Sequence, residues 1–200
     1  MQMKCKNLER LWCVLIFFVS LQKIRNYTLM NTNFKLRELH LSDAASFAEN
    51  INNPNIYDNL RDALPKPYSE ADGKAFIEMV LSQPKPATIL VIEVDGKAVG
   101  CIGVTLRTDV ERISAEIGYW LGENYWNKGI MTEVIKQMAT YAFANFPHLR
   151  KIYATPFDFN TASHRVLEKA GFEREAILKQ AAIKNEKIVG MYYYSLFRKD

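Results

Sequence analysis

Cysteine is scarce in this chain of 200 residues, which contains three. Two of them, Cys5 and Cys13, lie within the first thirty residues, so Cys101 stands alone in the remainder. One thiol can form neither a disulfide framework nor a cysteine zinc site. The chain from residue 30 onward is therefore predicted to be a reduced, cytoplasmic domain without a metal centre.

An excess of charge is also missing from most of the chain. The formal net charge is +4, but the first thirty residues hold five Lys or Arg residues and one Glu. The remainder has 21 basic and 21 acidic residues, so it is neutral. This balance argues against a polyanion-binding surface, and no nucleic-acid partner is expected.

The chain offers no hydrophobic run long enough to span a bilayer as a helix. The apolar run 11–21 (LWCVLIFFVSL) has eleven residues, and three basic residues precede it. It resembles a secretory signal without a good cleavage site. Two interpretations stay open: residues 1–29 are a dispensable or mis-assigned extension, or they associate with a membrane. In the first interpretation, which we favour, residues 30–200 are the functional domain and a membrane partner is not expected.

The composition suits one globular domain, since hydrophobic residues make up 48% and aromatic residues 12% of the chain. Hydrophobic periodicity predicts the element order β-α-α-β-β-β-α-β-α-β, a mixed sheet with helices on its faces. Strands are predicted over 34–39, 89–94, 98–105, 113–121, 151–155 and 188–197. Helices are predicted after Ser42, after Ser69, over 131–146, and from Asn160 to Gly171.

Local signals mark several boundaries. Ser69 and Asp72 form the pattern of a capping box, and Asp95-Gly96 is typical of a tight hairpin. Asn160 is a predicted N-cap, whereas residues 52–68 are rich in Asn, Pro and Asp and are predicted to be a loop.

The segment 118–132 joins a buried strand to the longest predicted helix. Such a junction directs unpaired backbone N–H groups at one point, with the helix dipole behind them. Gly129 leaves room for an anion, Lys128 adds positive charge and Thr132 can donate from its hydroxyl. The junction predicts a phosphate or pyrophosphate site, with an ordinary loop as the alternative.

Four stretches carry a resemblance to a known family: 115–121 (AEIGYWL), 127–133 (NKGIMTE), 160–163 (NTAS) and 166–172 (VLEKAGF). In this order and spacing they resemble the GNAT superfamily of N-acetyltransferases, in the branch of the ribosomal-protein N-terminal acetyltransferases. The resemblance implies one α/β (α+β) domain whose mixed sheet is splayed at its centre, with acetyl-CoA in the split. It also implies direct transfer of the acetyl group to a primary amine in a ternary complex, by a monomer or homodimer.

The chain departs twice from the pattern of that branch, and the second departure leaves the acceptor open. Only Gly129 matches the usual phosphate loop, because Met131 replaces a small residue. The chain has Val189-Gly190 where branch members often carry an Asp. The acceptor could be a protein N-terminus, a polyamine, an antibiotic or a metabolite amine. A non-catalytic acyl-CoA-binding module is the alternative function.

The resemblance implies a set of residues that bind acetyl-CoA. Asn160 and Ser163 are expected beside the pantetheine arm, where Ser163 would protonate or hydrogen-bond the leaving sulfur. The predicted cofactor-binding residues are Trp120, Leu121, Asn127, Lys128, Gly129, Ile130, Met131, Thr132, Asn160 and Ser163.

Glu116 is the candidate general base, because strand alternation places it on one face with Gly118 and Trp120, beside the expected split. A solvent-facing carboxylate, with water as the proton acceptor, is the alternative.

The predicted acceptor-binding residues are Arg61, Asp62 and Tyr194, with a surface ion pair as the alternative for the first two. His148 and His164 are predicted to be surface residues, and Cys101 to be a core residue.

Overall fold

The computed structural model describes residues 33–199, and in them seven strands form one sheet with the order β1-β2-β3-β4-β5-β7-β6. Only the β4–β5 pair is parallel; the other pairs are antiparallel. The predicted mixed sheet is confirmed. The strands are β1 Phe34–Arg37, β2 Ile89–Val94, β3 Lys97–Leu106, β4 Ser114–Leu121, β5 Lys151–Ala154, β6 Glu173–Lys184 and β7 Lys187–Phe197.

Five α-helices accompany the sheet in this part of the chain: α1 Ala44–Ile51, α2 Pro54–Tyr57, α3 Glu70–Leu81, α4 Ile130–Asn145 and α5 Thr161–Lys169. Buried side chains of α1 and α3 pack with Val91, Cys101 and Trp120 in one hydrophobic cluster. Buried side chains of α4 and α5 pack in a second cluster with Ile117 and Ile152. The sheet therefore has a hydrophobic core on each face, and the alternation of β4 contributes to both.

The capping box, the hairpin turn and the N-cap that the sequence predicts are all present in the structure. Ser69 Oγ accepts from the Asp72 N–H at 3.1 Å, and the Asp72 carboxylate accepts from the Ser69 N–H at 2.8 Å. Asp95 and Gly96 both have positive φ, 49° and 79°, as a two-residue hairpin turn requires. The Asn160 side chain accepts from the Ser163 N–H at 3.0 Å, which begins α5.

The long strand β6 is missing from the prediction. Most of its residues are exposed, so it lacks the alternation of a half-buried strand. In its turn into β7, Asn185 and Glu186 have positive φ. The turn therefore lacks the glycine that usually marks a hairpin in a sequence. Pairing with β7, and not local preference, holds this segment extended.

Two further expectations near the amino end of the domain are wrong in detail. Ser42 does not cap a helix: it lies in a 3₁₀ turn, and the Asp43 carboxylate accepts the His40 N–H at 2.8 Å before α1 begins. The segment 52–68 is not all loop, because it contains α2, capped by Asn53.

In residues 33–199 no helix is long and apolar enough to cross a membrane. The apolar run 11–21 lies outside the described residues.

Candidate active site

The sheet splits between β4 and β5. These parallel strands pair only from Ser114 to Glu116, because β5 ends at Ala154 while β4 continues to Leu121. Within the described chain, the edge of β4 that faces β5 therefore has no strand partner after Glu116. A cleft of about 620 Å³ lies at the split, and Glu116 is at the point where the strands separate.

The amino end of α4 forms one end of the cleft. Asn127 and Gly129 have positive φ, 60° and 76°, and this turn leads directly into Ile130. A Cβ built on Gly129 would meet nothing within 4 Å, so the backbone is open to a ligand. The first N–H groups of a helix have no acceptor within the helix, and they suit an anion such as pyrophosphate.

Most of the predicted cofactor-binding residues line this one cleft. The residues from the prediction that line it are Trp120, Leu121, Asn127, Gly129, Ile130, Met131, Thr132, Asn160 and Ser163. Lys128 is outside the lining, and its ammonium lies 5.5 Å from the centre of the Tyr125 ring.

Ser163 has a partner that the sequence did not single out. Its Oγ lies 2.6 Å from the Tyr119 hydroxyl, and both residues line the cleft. Burial raises the pKa of the Tyr119 phenol well above its ordinary value, although the hydrogen bond to Ser163 acts against this shift. Tyr119 is therefore a neutral phenol at physiological pH. The sequence offered one signal for Tyr119: strand alternation directs its side chain to the opposite face of β4 from Glu116.

Three side chains hold the Glu116 carboxylate. Arg107 donates to Oε2 at 2.7 Å and Thr155 donates to Oε1 at 2.8 Å, while Arg61 forms an ion pair with Oε1 at 3.5 Å. The Glu116 side chain is 25% exposed, so the carboxylate is fixed but reachable from the cleft. Neither Arg107 nor Thr155 was predicted, because they join Glu116 from separate strand ends.

The tip of the β6–β7 hairpin holds the loop on the Glu116 side of the cleft. The Lys184 ammonium donates to the Leu60 carbonyl at 2.8 Å and to the Asp62 carboxylate at 2.6 Å. Of the predicted acceptor-binding pair, Arg61 lines the cleft, whereas Asp62 is occupied by Lys184 and lies outside the lining. The loop is therefore anchored by a strand that the sequence did not predict.

The other singled-out residues divide between core and surface. Tyr194, predicted to bind the acceptor, is 1% exposed, donates to Glu168 at 2.9 Å and lies outside the lining. His148 is exposed as predicted. The prediction for His164 is wrong: β7 covers α5, so this ring is buried, stacks on Tyr192 and hydrogen-bonds the Phe157 carbonyl.

Cys101 is a core residue, as predicted. It is buried, and desolvation raises the pKa of its thiol to about 12. A thiolate nucleophile is therefore absent from this position at neutral pH. No group of three His, Cys, Asp or Glu residues is placed to hold a metal ion in residues 33–199.

The arrangement puts different chemistry on the two faces of β4. Glu116 and Gly118 lie on the face that packs with α1 and α3, and Tyr119 lies on the face that packs with α4 and α5. A carboxylate that can accept a proton and a hydroxyl pair that can donate one thus meet in one cleft.

Comparison with known proteins agrees with this geometry. The family "Acetyltransferase (GNAT) domain" matches residues 33–173. The uncharacterized N-acetyltransferase p20 of Bacillus licheniformis is 28% identical over 181 residues, which are 86% of this chain and 97% of that protein.

Two solved structures show the same fold. The ribosomal-protein-S5-alanine acetyltransferase of Vibrio fischeri has a TM-score of 0.75 at 20% identity, over 86% of this chain and 97% of that one. The microcin C7 self-immunity acetyltransferase MccE, solved with acetyl-CoA and AMP, has a TM-score of 0.72 at 24% identity, over 84% and 94%.

Proposed function

The chain belongs to the GNAT acetyltransferase family, and we propose that it transfers the acetyl group of acetyl-CoA to a primary amine by direct attack in a ternary complex. The observation that carries the proposal is the split in the sheet. There the free edge of β4, the amino end of α4, the Tyr119–Ser163 pair and Glu116 all border one cleft.

Residues on the α4 side of the cleft would hold acetyl-CoA. The backbone N–H groups of residues 127–132 suit its pyrophosphate, because they are unpaired donors at a helix terminus. The free edge of β4 and the Asn160 side chain suit the amide groups of its pantetheine arm, which needs hydrogen-bond partners along its length.

The reaction needs one proton removed and one supplied. The amine nitrogen attacks the thioester carbonyl carbon, and the carbon–sulfur bond breaks. In our proposal Glu116 takes a proton from the amine, and the Ser163 hydroxyl, hydrogen-bonded to neutral Tyr119, stabilises and protonates the leaving sulfur. Starting from the neutral amine, the nitrogen loses one proton to Glu116 and the sulfur gains one through Ser163, and proton exchange with water returns both side chains to their starting states. An amine that arrives as an ammonium ion first loses one further proton, which Glu116 passes to solvent.

The acceptor would enter on the Glu116 side, where Arg61 and the anchored loop border the cleft. The Vibrio fischeri relative is named for a ribosomal protein, so a protein N-terminus is one acceptor to test. We place the reaction in the cytoplasm, in keeping with the single buried thiol of the domain.

Two measurements test the proposal. Acetyl-CoA at about one hundred times its dissociation constant should stabilise the folded protein by about 2.7 kcal/mol, seen as a rise of several degrees in melting temperature. Release of free CoA thiol should then follow addition of a primary amine. If millimolar acetyl-CoA neither stabilises the protein nor leads to thiol release, the proposal is contradicted.

Stabilisation without thiol release, across peptides and small amines, would support a non-catalytic acyl-CoA-binding module instead. The departures at Met131 and Val189-Gly190 are the observations that favour that second function.

A further inference from the structure

A second cavity of about 300 Å³, called here the apolar hollow, opens beside the cleft on the Glu116 side of β4. Its lining is apolar or aromatic except for Thr105. Its walls include Phe47, Leu64, Tyr68, Phe76, Gly118 and Trp120. Leu60, Gly118, Tyr119 and Trp120 line both the hollow and the cleft, so the two spaces are adjacent.

Gly118 at the floor of the hollow has no structural reason to be glycine. Its φ lies outside the left-handed region, and a Cβ built on it would meet nothing within 4 Å. Among the glycines of the described chain, only Gly118 combines these two properties. It is exposed in the middle of a strand, and its register with Gly103 on β3 has no bulge.

A glycine inside a strand weakens the strand, so its presence calls for a bulge, a bend or the close approach of another group. The regular register with β3 excludes a bulge at Gly118, and the unbroken pairing as far as Leu121 gives no sign of a bend. The close approach of a ligand remains. Because Glu116 and Gly118 share one face of β4, that ligand lies beside the Glu116 carboxylate.

The chemistry of the hollow identifies the kind of group that fills it. An open apolar lining gains free energy when an apolar group displaces its water. A volume of about 300 Å³ corresponds to roughly ten water molecules, which is enough for an aromatic ring or a branched aliphatic chain. The hollow extends from β4 to Leu64 and Phe76, and Ser163 lines the cleft but not the hollow.

We infer that the acceptor is a primary amine carrying an aromatic or branched aliphatic group, which enters the apolar hollow while the amine nitrogen lies beside Glu116. This inference rests on the proposed function, and it names the substrate class of that same site.

A series of acceptors that differ only in the apolar group tests the inference. We would measure thiol release with peptides Xaa-Ala-Ala-amide, in which Xaa is Gly, Ala, Leu or Phe, and with ethylamine and phenethylamine. The value of kcat/KM should be about ten- to a hundredfold higher for Leu or Phe than for Gly, and higher for phenethylamine than for ethylamine.

The variant Gly118→Ala adds one methyl group to the floor of the hollow. It should lower kcat/KM for the Phe and Leu peptides about tenfold and leave the Gly peptide within about twofold. Its melting temperature should not fall, because the added methyl meets open space. Stabilisation by acetyl-CoA should be unchanged. Val110→Ala, at a site 78% exposed between β3 and β4, is the control that should alter none of these values.

Several outcomes would overturn the inference. Equal turnover of all acceptors, or fastest turnover of the Gly peptide, removes the inference and leaves the proposed function standing. A preference for butyryl-CoA over acetyl-CoA that Gly118→Ala abolishes would assign the hollow to the donor. A loss of acetyl-CoA binding or of melting temperature in Gly118→Ala would give Gly118 a cofactor-binding or structural role. Thiol release with no amine at all would overturn the proposed function and this inference with it.

Discussion

At the scale of single residues, the site depends on the placement of Glu116. Its carboxylate accepts hydrogen bonds from residues that follow β3 and β5, which fixes it at the fork of the sheet. A base that is fixed near the reacting nitrogen needs no reorganisation during the reaction. Glu116→Gln keeps the shape, its one amide oxygen can accept from Arg107 and its NH2 group can donate to the Thr155 hydroxyl, but it cannot take a proton.

We therefore expect Glu116→Gln to lower kcat by about two to four powers of ten at neutral pH. The loss should shrink as the pH rises, since more of the amine is already deprotonated. Stabilisation by acetyl-CoA should be unchanged, because the proposed pyrophosphate site lies at the amino end of α4. Glu78→Gln, at an exposed position of α3 outside the cleft lining, is the matched control. An unaltered rate would assign the proton to water or to another group.

At the scale of elements, an ion-pair network ties the start of α1 to the edge of the sheet. Arg37 on β1 donates to both Asp43 carboxylate oxygens at 2.7 Å and to Glu93 on β2. Burial pushes the pKa of Asp43 upward, but the hydrogen bonds from Arg37 and His40 outweigh it and hold the pKa below its ordinary value. Asp43 therefore joins β1, β2 and α1 in its charged form.

The sign of the pH dependence follows from this lowered pKa. A carboxyl group whose pKa is lower in the folded state stabilises the fold above its unfolded pKa, about 3.9, and loses that contribution as the pH falls through the folded value. We expect Asp43→Asn to lower the free energy of unfolding by roughly 1.5–3 kcal/mol at pH 7. The difference from wild type should narrow below about pH 4. Denaturant unfolding at pH 7, 5 and 3 measures this.

Glu70→Gln is the control for that series. Glu70 pairs with Lys74 on the surface of α3, where such a pair contributes about 0.5 kcal/mol or less. A difference between Asp43→Asn and wild type that stays constant from pH 7 to pH 3 would show that the Asp43 charge is not what stabilises the fold.

At the scale of the whole molecule, the sequence changes character near residue 30, because the first thirty residues carry five basic residues and one acidic residue while the remainder is neutral. The matched family region also begins at residue 33. We therefore propose that residues 30–200 form the functional domain. A protein begun at Met30 should have the melting temperature and the turnover number of the full chain. A loss of either would show that residues 1–29 contribute to the domain, and a difference in membrane fractionation alone would support the membrane-associating interpretation of the run 11–21.

The sequence by itself determined the features that neighbouring residues decide. The β2–β3 hairpin follows from Asp95-Gly96, α3 begins at its capping box, and α4 follows from an apolar stripe of period 3.6. The turn before α4 and the cap at Asn160 are equally local, since each depends on groups within a few residues. These features could be predicted because the interactions that specify them span one or two turns of chain.

Only the tertiary structure decided the features that depend on distant partners. Strand β6 exists because β7 offers it a hydrogen-bonding edge, and His164 is buried because that same sheet covers α5. Tyr119 meets Ser163 across 44 positions, and Glu116 meets Thr155 across 39. Packing of separate elements brings these groups together, and periodicity within one element carries no information about what lies opposite it. The apolar hollow over Gly118 is the clearest case, because an empty space is defined entirely by the residues that surround it.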